Sequence, residues 1–120
     1  MKHILIVEDD TTFAVMLQTW LSKKKFSVAS VSGIAAAKKT LIESSVDLVL
    51  CDLRLPDGDG IDLLEWVSSR NVNVPLIIMT SYAAIPSAVQ AMKLGARDYI
   101  SKPVNPEFLC LSLYRRKQII

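Results

Sequence analysis

Residues 4–10, Ile4-Leu5-Ile6-Val7-Glu8-Asp9-Asp10, run four apolar side chains straight into three acids. A segment so short and so continuously apolar has no polar face to offer water, so it reads as a strand covered on both sides. The same signature returns at Ser27 to Val31, Asp47 to Cys51, Leu76 to Met79 and Asp98 to Ile100. Stretches of helical period lie between these runs. In the first of them Phe13, Met16, Leu17, Trp20 and Leu21 recur at i, i+3, i+4, i+7 and i+8, which predicts one apolar stripe packed on a sheet. Lys23, Lys24 and Lys25 then suit the negative end of that helix's dipole.

Further helices are predicted from about Ile34 to Glu43, Ile61 to Arg70, Pro86 to Leu94, and from Pro106 onward. Pro86 fits a first helical turn, where its missing N–H had no partner, and Gly95 fits the stop after Leu94. Alternating strands and helices predict one α/β domain over residues 1–120, a parallel sheet of five strands with helices on both faces. Strand two is followed only by Ser32 and Gly33, whereas the other strands run into reactive side chains. An order of 2-1-3-4-5 accounts for this, because it sends strand two to an edge and gathers the ends of strands one, three and four at the reversal point. The chain ends at Ile119-Ile120 behind Arg115-Arg116-Lys117 with no helix-stop residue, so it is expected to be the N-terminal part of a longer protein.

Composition narrows the function classes. At 120 residues, with 51% apolar and 22% charged residues, the chain has the balance of a globular domain whose core needs no disulfide or metal staple. Fourteen Lys and Arg against twelve Asp and Glu leave a formal charge of +2, which gives no ground for nucleic-acid or membrane binding. Cys51 and Cys110 form no CxxC spacing and read as buried thiols in a reducing compartment. No window holds the eighteen or so apolar residues of a membrane span, and the expected location is cytoplasmic.

In an open α/β sheet the chemistry sits beyond the carboxyl ends of the strands. Those ends carry Glu8, Asp9 and Asp10; Asp52; Thr80 and Ser81; and Ser101, Lys102 and Pro103. Each has a plainer use. Asp10 is expected to cap the first helix, Thr80 and Ser81 could be loop hydroxyls, and Lys102 an exposed amine. Asp57-Gly58-Asp59-Gly60 reads as a turn and helix entry, since a calcium loop would need Asp or Asn at Ile61 and Glu at Ser68. The coincidence of four strand ends favours a shared site. If Glu8, Asp9 and Asp52 converge, three carboxylates and one ammonium leave a net charge of −2. Two like charges roughly 4 Å apart repel by about 4 kcal/mol at an effective dielectric near 20, so a cation is required. Oxygen donors without His or Cys select a hard ion, and a partly open carboxylate site suits Mg²⁺ better than Ca²⁺. Carboxylate, Mg²⁺, Lys and Thr around one point meet the requirements of phosphoryl transfer to Asp.

Rival functions fit less well. Glycines occur only at 33, 58, 60 and 95, so no nucleotide-binding glycine loop follows strand one. A phosphohydrolase with an Asp nucleophile would carry it directly after strand one, with a general acid two residues on, where Asp9 is instead followed by Asp10 and Thr11. A Ser–His hydrolase fails because His3, the single histidine, precedes strand one at the wrong end of the sheet.

The segments Ile4 to Asp10, Cys51-Asp52-Leu53-Arg54-Leu55-Pro56-Asp57-Gly58-Asp59-Gly60, Thr80-Ser81 and Asp98-Tyr99-Ile100-Ser101-Lys102-Pro103, in this order and spacing, resemble the receiver domains of two-component response regulators. The resemblance covers essentially the whole chain. It implies the flavodoxin-like (βα)5 fold, with Asp52 phosphorylated by a sensor histidine kinase. It further implies that Asp9 binds Mg²⁺ directly, that Glu8 helps through metal-bound water, and that the backbone carbonyl of Arg54 adds a ligand. Thr80 would hydrogen-bond a phosphoryl oxygen and Lys102 would pair with it. Tyr99 would be the switch aromatic, turning inward as Thr80 moves and reshaping the surface of helix four, strand five and helix five. That surface would control an output domain in transcription regulation, or join a homodimer. Lys102-Pro103 would be a cis peptide, and Asp57, Gly58 and Gly60 would shape the loop. Such a domain is no enzyme in the ordinary sense: it assists its own phosphorylation and slow dephosphorylation, and leaves DNA binding to its output.

Two departures bear on kinetics. Glu8 stands where Asp is commoner, and its extra methylene favours water-mediated contact with the metal. Arg54 and Tyr82, each two residues beyond a site residue, are bulky and border the expected path of hydrolytic water, so self-dephosphorylation is expected to be slow. The stretch Ala88 to Tyr99 is similar to receivers of the nitrogen-regulation type, which precede an ATPase domain working with the sigma-54 form of RNA polymerase. A pseudo-receiver, which would act without phosphorylation, is disfavoured by the complete set of acids, Thr and Lys.

Overall fold

The computed structural model describes residues 2–70, 74–81, 84–105, 107 and 109. Five parallel strands, β1 (His3–Val7), β2 (Ser27–Val31), β3 (Leu48–Asp52), β6 (Leu76–Thr80) and β7 (Asp98–Ser101), form one sheet of order β2-β1-β3-β6-β7. This is the expected 2-1-3-4-5 arrangement. Two further strands, β4 (Arg54–Leu55) and β5 (Gly58–Asp59), make a separate antiparallel pair within the loop after β3. The helices are α1 (Thr11–Lys23), α2 (Ile34–Glu43), α3 (Gly60–Ser69) and α4 (Ile85–Lys93), so the predicted boundaries hold within about two residues. β3 starts one residue later than predicted and runs through Asp52, which stays in register with Met79.

Side chains that alternate along each strand supply two cores. Leu5, Val7, Val49, Cys51, Leu76 and Ile78 pack against α2, α3 and α4. Ile4, Ile6, Leu50, Ile77, Met79 and Ile100 pack against α1 and Leu109. One register row, Val31, Val7, Cys51, Ile78 and Tyr99, crosses the entire sheet on the first of these faces. Continuously apolar strands are thus explained by burial on both sides. Among the described residues no helix is long and apolar enough to cross a membrane.

The predicted stripe of α1 needs one correction. Ala14, Leu17 and Leu21 are buried and Phe13 and Trp20 half-buried, but Met16 is 51% exposed. At about 100° per residue, Met16 lies roughly 100° round the helix from Leu17, beyond the arc that runs from Trp20 to Ala14. The small side chain of Ala14 takes the other flank of the seam. Asp10 caps α1 as expected, accepting from the Phe13 N–H at 3.1 Å.

The loop after β3 is tied to two helices. Gly33, the N-cap residue of α2, has no side chain to offer, and the carboxylate of Asp57 takes its place, accepting from the N–H groups of Ile34 at 2.8 Å and Ala35 at 3.0 Å. These bonds hold the Asp57 carboxyl below its ordinary pKa. Asp59 caps α3 in a reciprocal capping box with Asp62. The Lys102-Pro103 peptide is cis, as the resemblance implied. Cys51 is buried, where burial pushes its thiol up into an unreactive range. Tyr82, Pro106 and Cys110 lie outside the described residues, as does nearly all of the fifth predicted helix. Of that helix Glu107 and Leu109 are described: Asn105 Oδ1 accepts from the Glu107 N–H at 2.9 Å, and Leu109 is buried.

Asp57→Ala should strip α2 of its cap and lower the thermal midpoint by a few degrees near neutral pH. Because the folded pKa is depressed, the wild-type advantage is fully present above the unfolded value near 3.9 and is lost as pH falls through the folded one. Thermal melts of both proteins across the acid range check this. A gap that stayed constant down to the lowest pH would contradict it.

Candidate functional site

Because all five strands of the sheet are parallel, their carboxyl ends share one edge, and the chemistry-bearing residues follow from that. Glu8 and Asp9 leave β1, Asp52 ends β3, Thr80 ends β6 and Lys102 follows β7. The carboxylate oxygens of Glu8, Asp9 and Asp52 lie within 4.8 Å of one another. Glu8 and Asp52 are buried and Asp9 is exposed, so the cluster opens to solvent on the Asp9 side.

Lys102 joins the two buried acids. Its Nζ donates to Glu8 Oε1 and to Asp52 Oδ2, the latter at 3.3 Å. Its backbone N–H donates to the carbonyl of Thr80 at 2.8 Å, which ties the end of β6 to the same point. Glu8 Oε2 accepts from the Asp10 N–H at 3.1 Å, so both of its oxygens are engaged. Burial raises the Glu8 pKa, against the lowering effect of Lys102 and the Asp10 N–H. For Lys102, burial pulls down, but the Glu8 hydrogen bond and the charges of Glu8 and Asp52 outweigh it and hold the ammonium above its ordinary value. One cation serves two carboxylates while Asp9 has no partner among the described ion pairs, and this leaves room for a second cation. The all-oxygen donor set fits a hard divalent ion.

The remaining predicted residues stand as follows. Thr80 is fully buried at the same edge. Tyr99 shares a sheet face with Ile78, its register partner; its ring packs into the core, and its enclosed hydroxyl has no hydrogen-bond partner among the described residues. Arg54 is exposed at the first position of β4. Ser81 is exposed. Phe13 was predicted only as a core residue, yet its ring centroid lies 4.4 Å from Lys102 Nζ. The available signal was its place in the first turn of a helix that starts at the acidic edge. Asp57 was read as loop-shaping, which understates its cap on α2.

Gly60 fixes the backbone beneath Asp52. Its N–H donates to the Leu53 carbonyl at 2.7 Å, and a Cβ here would meet the carbonyl oxygen of Asp52 at 2.4 Å. The helix can therefore approach the end of β3 only without a side chain at this position.

A doubly wound parallel sheet with an acidic, cation-ready cluster and one lysine at its carboxyl edge defines a class, the flavodoxin-like domains with carboxylate sites at the switch point. The chain belongs to the response regulator receiver domain family, which matches residues 4–114, and is the receiver domain of a two-component response regulator. It is 36% identical to the response regulator protein PilR of Pseudomonas aeruginosa, over 87% of this chain and 23% of that protein. It is 37% identical to the transcriptional regulatory protein GltR of the same species, over 98% of this chain and 50% of that one. A solved CheY-like response regulator receiver domain protein from Methanospirillum hungatei superposes with a TM-score of 0.92 at 30% identity, covering 98% of this chain and 94% of that one. The chain spans about a quarter of PilR's length and half of GltR's.

Gly60→Ala should cost about 1–3 kcal/mol, because the clash is with backbone and cannot be relieved by a rotamer change. Denaturant melts measure the loss, and amide chemical shifts should locate the disturbance at Asp52 and Leu53. An unchanged melt would contradict the close approach.

Proposed function

We propose that Asp52 accepts a phosphoryl group from a sensor histidine kinase. The observation that carries this is the position of the Asp52 carboxylate, 3.3 Å from the Lys102 ammonium and clustered with Glu8 and Asp9 at the open edge of the sheet. An Asp52 oxygen attacks phosphorus, the P–N bond to the kinase histidine breaks, and the imidazole leaves with a proton. Asp9 and Asp52 would hold Mg²⁺, with the Arg54 carbonyl as a further ligand. Engagement of both Glu8 oxygens favours contact through water. The ion would neutralise the carboxylates and the incoming phosphoryl oxygens. Lys102 pairs with the transferred group, and Thr80 hydrogen-bonds one of its oxygens.

The readout is a change at α4, β7 and the following helix, with Tyr99 as the moving aromatic. Its ring packs on the sheet face that it shares with Ile78 and Thr80, so a shift of Thr80 would reach it. On α4, Ile85, Val89 and Met92 stand exposed at i, i+4 and i+7, an apolar row fit for an output domain or a second copy. The partners are thus a kinase and an output region in the cytoplasm, with no direct contact to nucleic acid or membrane. Ala88 to Tyr99 supports an output of the sigma-54-dependent ATPase kind. The domain acts on no separate substrate beyond its own phosphorylation and dephosphorylation.

Incubation with acetyl phosphate and Mg²⁺ should add one base-labile phosphoryl group per chain, seen by intact mass. Asp52→Asn or excess chelator should abolish it. Failure of the wild type to label, or the same adduct in Asp52→Asn, would overturn the assignment.

Arg54 is exposed two residues past Asp52, where its bulk would crowd in-line attack by water on the phosphorylated carboxylate, and Tyr82, by its place in the sequence, would do the same. Arg54→Ala and Tyr82→Ala should shorten the lifetime of the phosphorylated protein several-fold, followed by loss of the adduct over time. Unchanged lifetimes would remove this role.

A further inference from the structure

The contacts around Lys102 close on themselves. Its ammonium donates to Glu8 Oε1; Glu8 Oε2 accepts from the Asp10 N–H at 3.1 Å; Asp10 Oδ1 accepts from the Phe13 N–H at 3.1 Å; and the Phe13 ring stands 4.4 Å from the same ammonium. Nothing in this circuit is a long-range accident of surface side chains. The acid that holds Lys102 also fixes the residue that caps α1, and that cap fixes the backbone of the aromatic residue facing Lys102. The Lys102 side chain is only 12% exposed, so the ring meets a largely dehydrated cation, the setting in which such contacts are strongest.

We propose that Phe13 is a positioning residue for phosphoryl transfer: its ring is an uncharged seat that keeps the Lys102 ammonium in place while that ammonium exchanges Asp52 for the incoming phosphoryl oxygens. This rests on the reading of Asp52 as phosphoacceptor. The physical need is specific to a lysine shared by two carboxylates. Any third carboxylate at this position would hold the ammonium too firmly and compete with the arriving anion. An aliphatic side chain would leave it free to settle wholly onto Glu8 and Asp52. The face of an aromatic ring attracts a cation without neutralising it, so the full positive charge stays available to the phosphoryl group. The ring also shields one side of the ammonium from water, which strengthens its remaining electrostatic contacts.

The test separates the electronic role of the ring from its bulk. Mono-, di- and trifluorophenylalanine at position 13 progressively weaken the negative face with little change in shape. The initial rate of labelling by acetyl phosphate with saturating Mg²⁺ should fall steadily along the series, by roughly three- to thirty-fold in total, while the thermal midpoint stays level. Phe13→Leu should behave like the end of the series and Phe13→Tyr like the wild type. A second readout needs neither metal nor phosphoryl donor. In the metal-free protein the ε-methylene protons of Lys102 should show an upfield ring-current shift that disappears in Phe13→Leu. A rate that is flat across the fluorinated series in a wild type that does label, or the absence of the ring-current shift, overturns the role given to Phe13. A wild type that does not label, with the ring-current shift present, overturns instead the phosphoacceptor reading on which that role rests.

Discussion

The structure turns on one ammonium shared by two buried carboxylates. Glu8 and Asp52 come from different strands, and without Lys102 between them they would face each other as like charges in a poorly solvated cleft. Breaking such a group by removing one member is far worse than never having made it, since the survivors stay buried and unpaired. The pair is therefore weak ground for explaining stability and strong ground for explaining specificity of arrangement. It fixes how the ends of β1, β3 and β7 sit relative to one another. The Lys102 N–H to the Thr80 carbonyl brings in β6.

That arrangement is possible because the sheet is parallel. In an antiparallel sheet successive strands would deliver their carboxyl ends to opposite edges, and Glu8, Asp52 and Lys102 could not meet without long excursions of loop. With helices filling both faces, the central strands β1, β3 and β6 must be apolar almost throughout, and their polar residues are driven to the ends. The acids at the edge are thus a consequence of the same burial that makes the strands recognisable. Gly60 extends this coupling into the loop, since only a residue without a side chain lets α3 begin against the carbonyl of Asp52.

This is also why so much was legible in the sequence. Runs such as Leu76 to Met79 carry their fold assignment in their composition, and the residue after each run carries its place on the sheet edge. Convergence of Glu8, Asp9, Asp52 and Lys102 required only the strand order, and the order followed from the bare end of strand two. What escaped depends on contacts between elements distant in sequence. Met16 fits the helical period but falls outside an arc whose limits Ala14 and Trp20 set against the sheet. Asp57 caps a helix that begins 23 residues earlier, and no local pattern announces that. Phe13 belongs to both categories, apolar enough to pass for core and near enough to the edge to face the ammonium.

The resting site is therefore a balanced one. Lys102 occupies one Asp52 oxygen, and a cation beside Asp9 would draw on the same carboxylate. Lys102 and such an ion would then share one buried carboxylate. On the proposed reading of Asp52, an arriving phosphoryl group, itself anionic, would relieve that competition by giving both cations new oxygens. A step that modified Asp52 would thus also change what holds Lys102. Through its backbone bond to Thr80, and the shared sheet face of Thr80 and Tyr99, such a disturbance would have a short hydrogen-bonded route to β6 and β7.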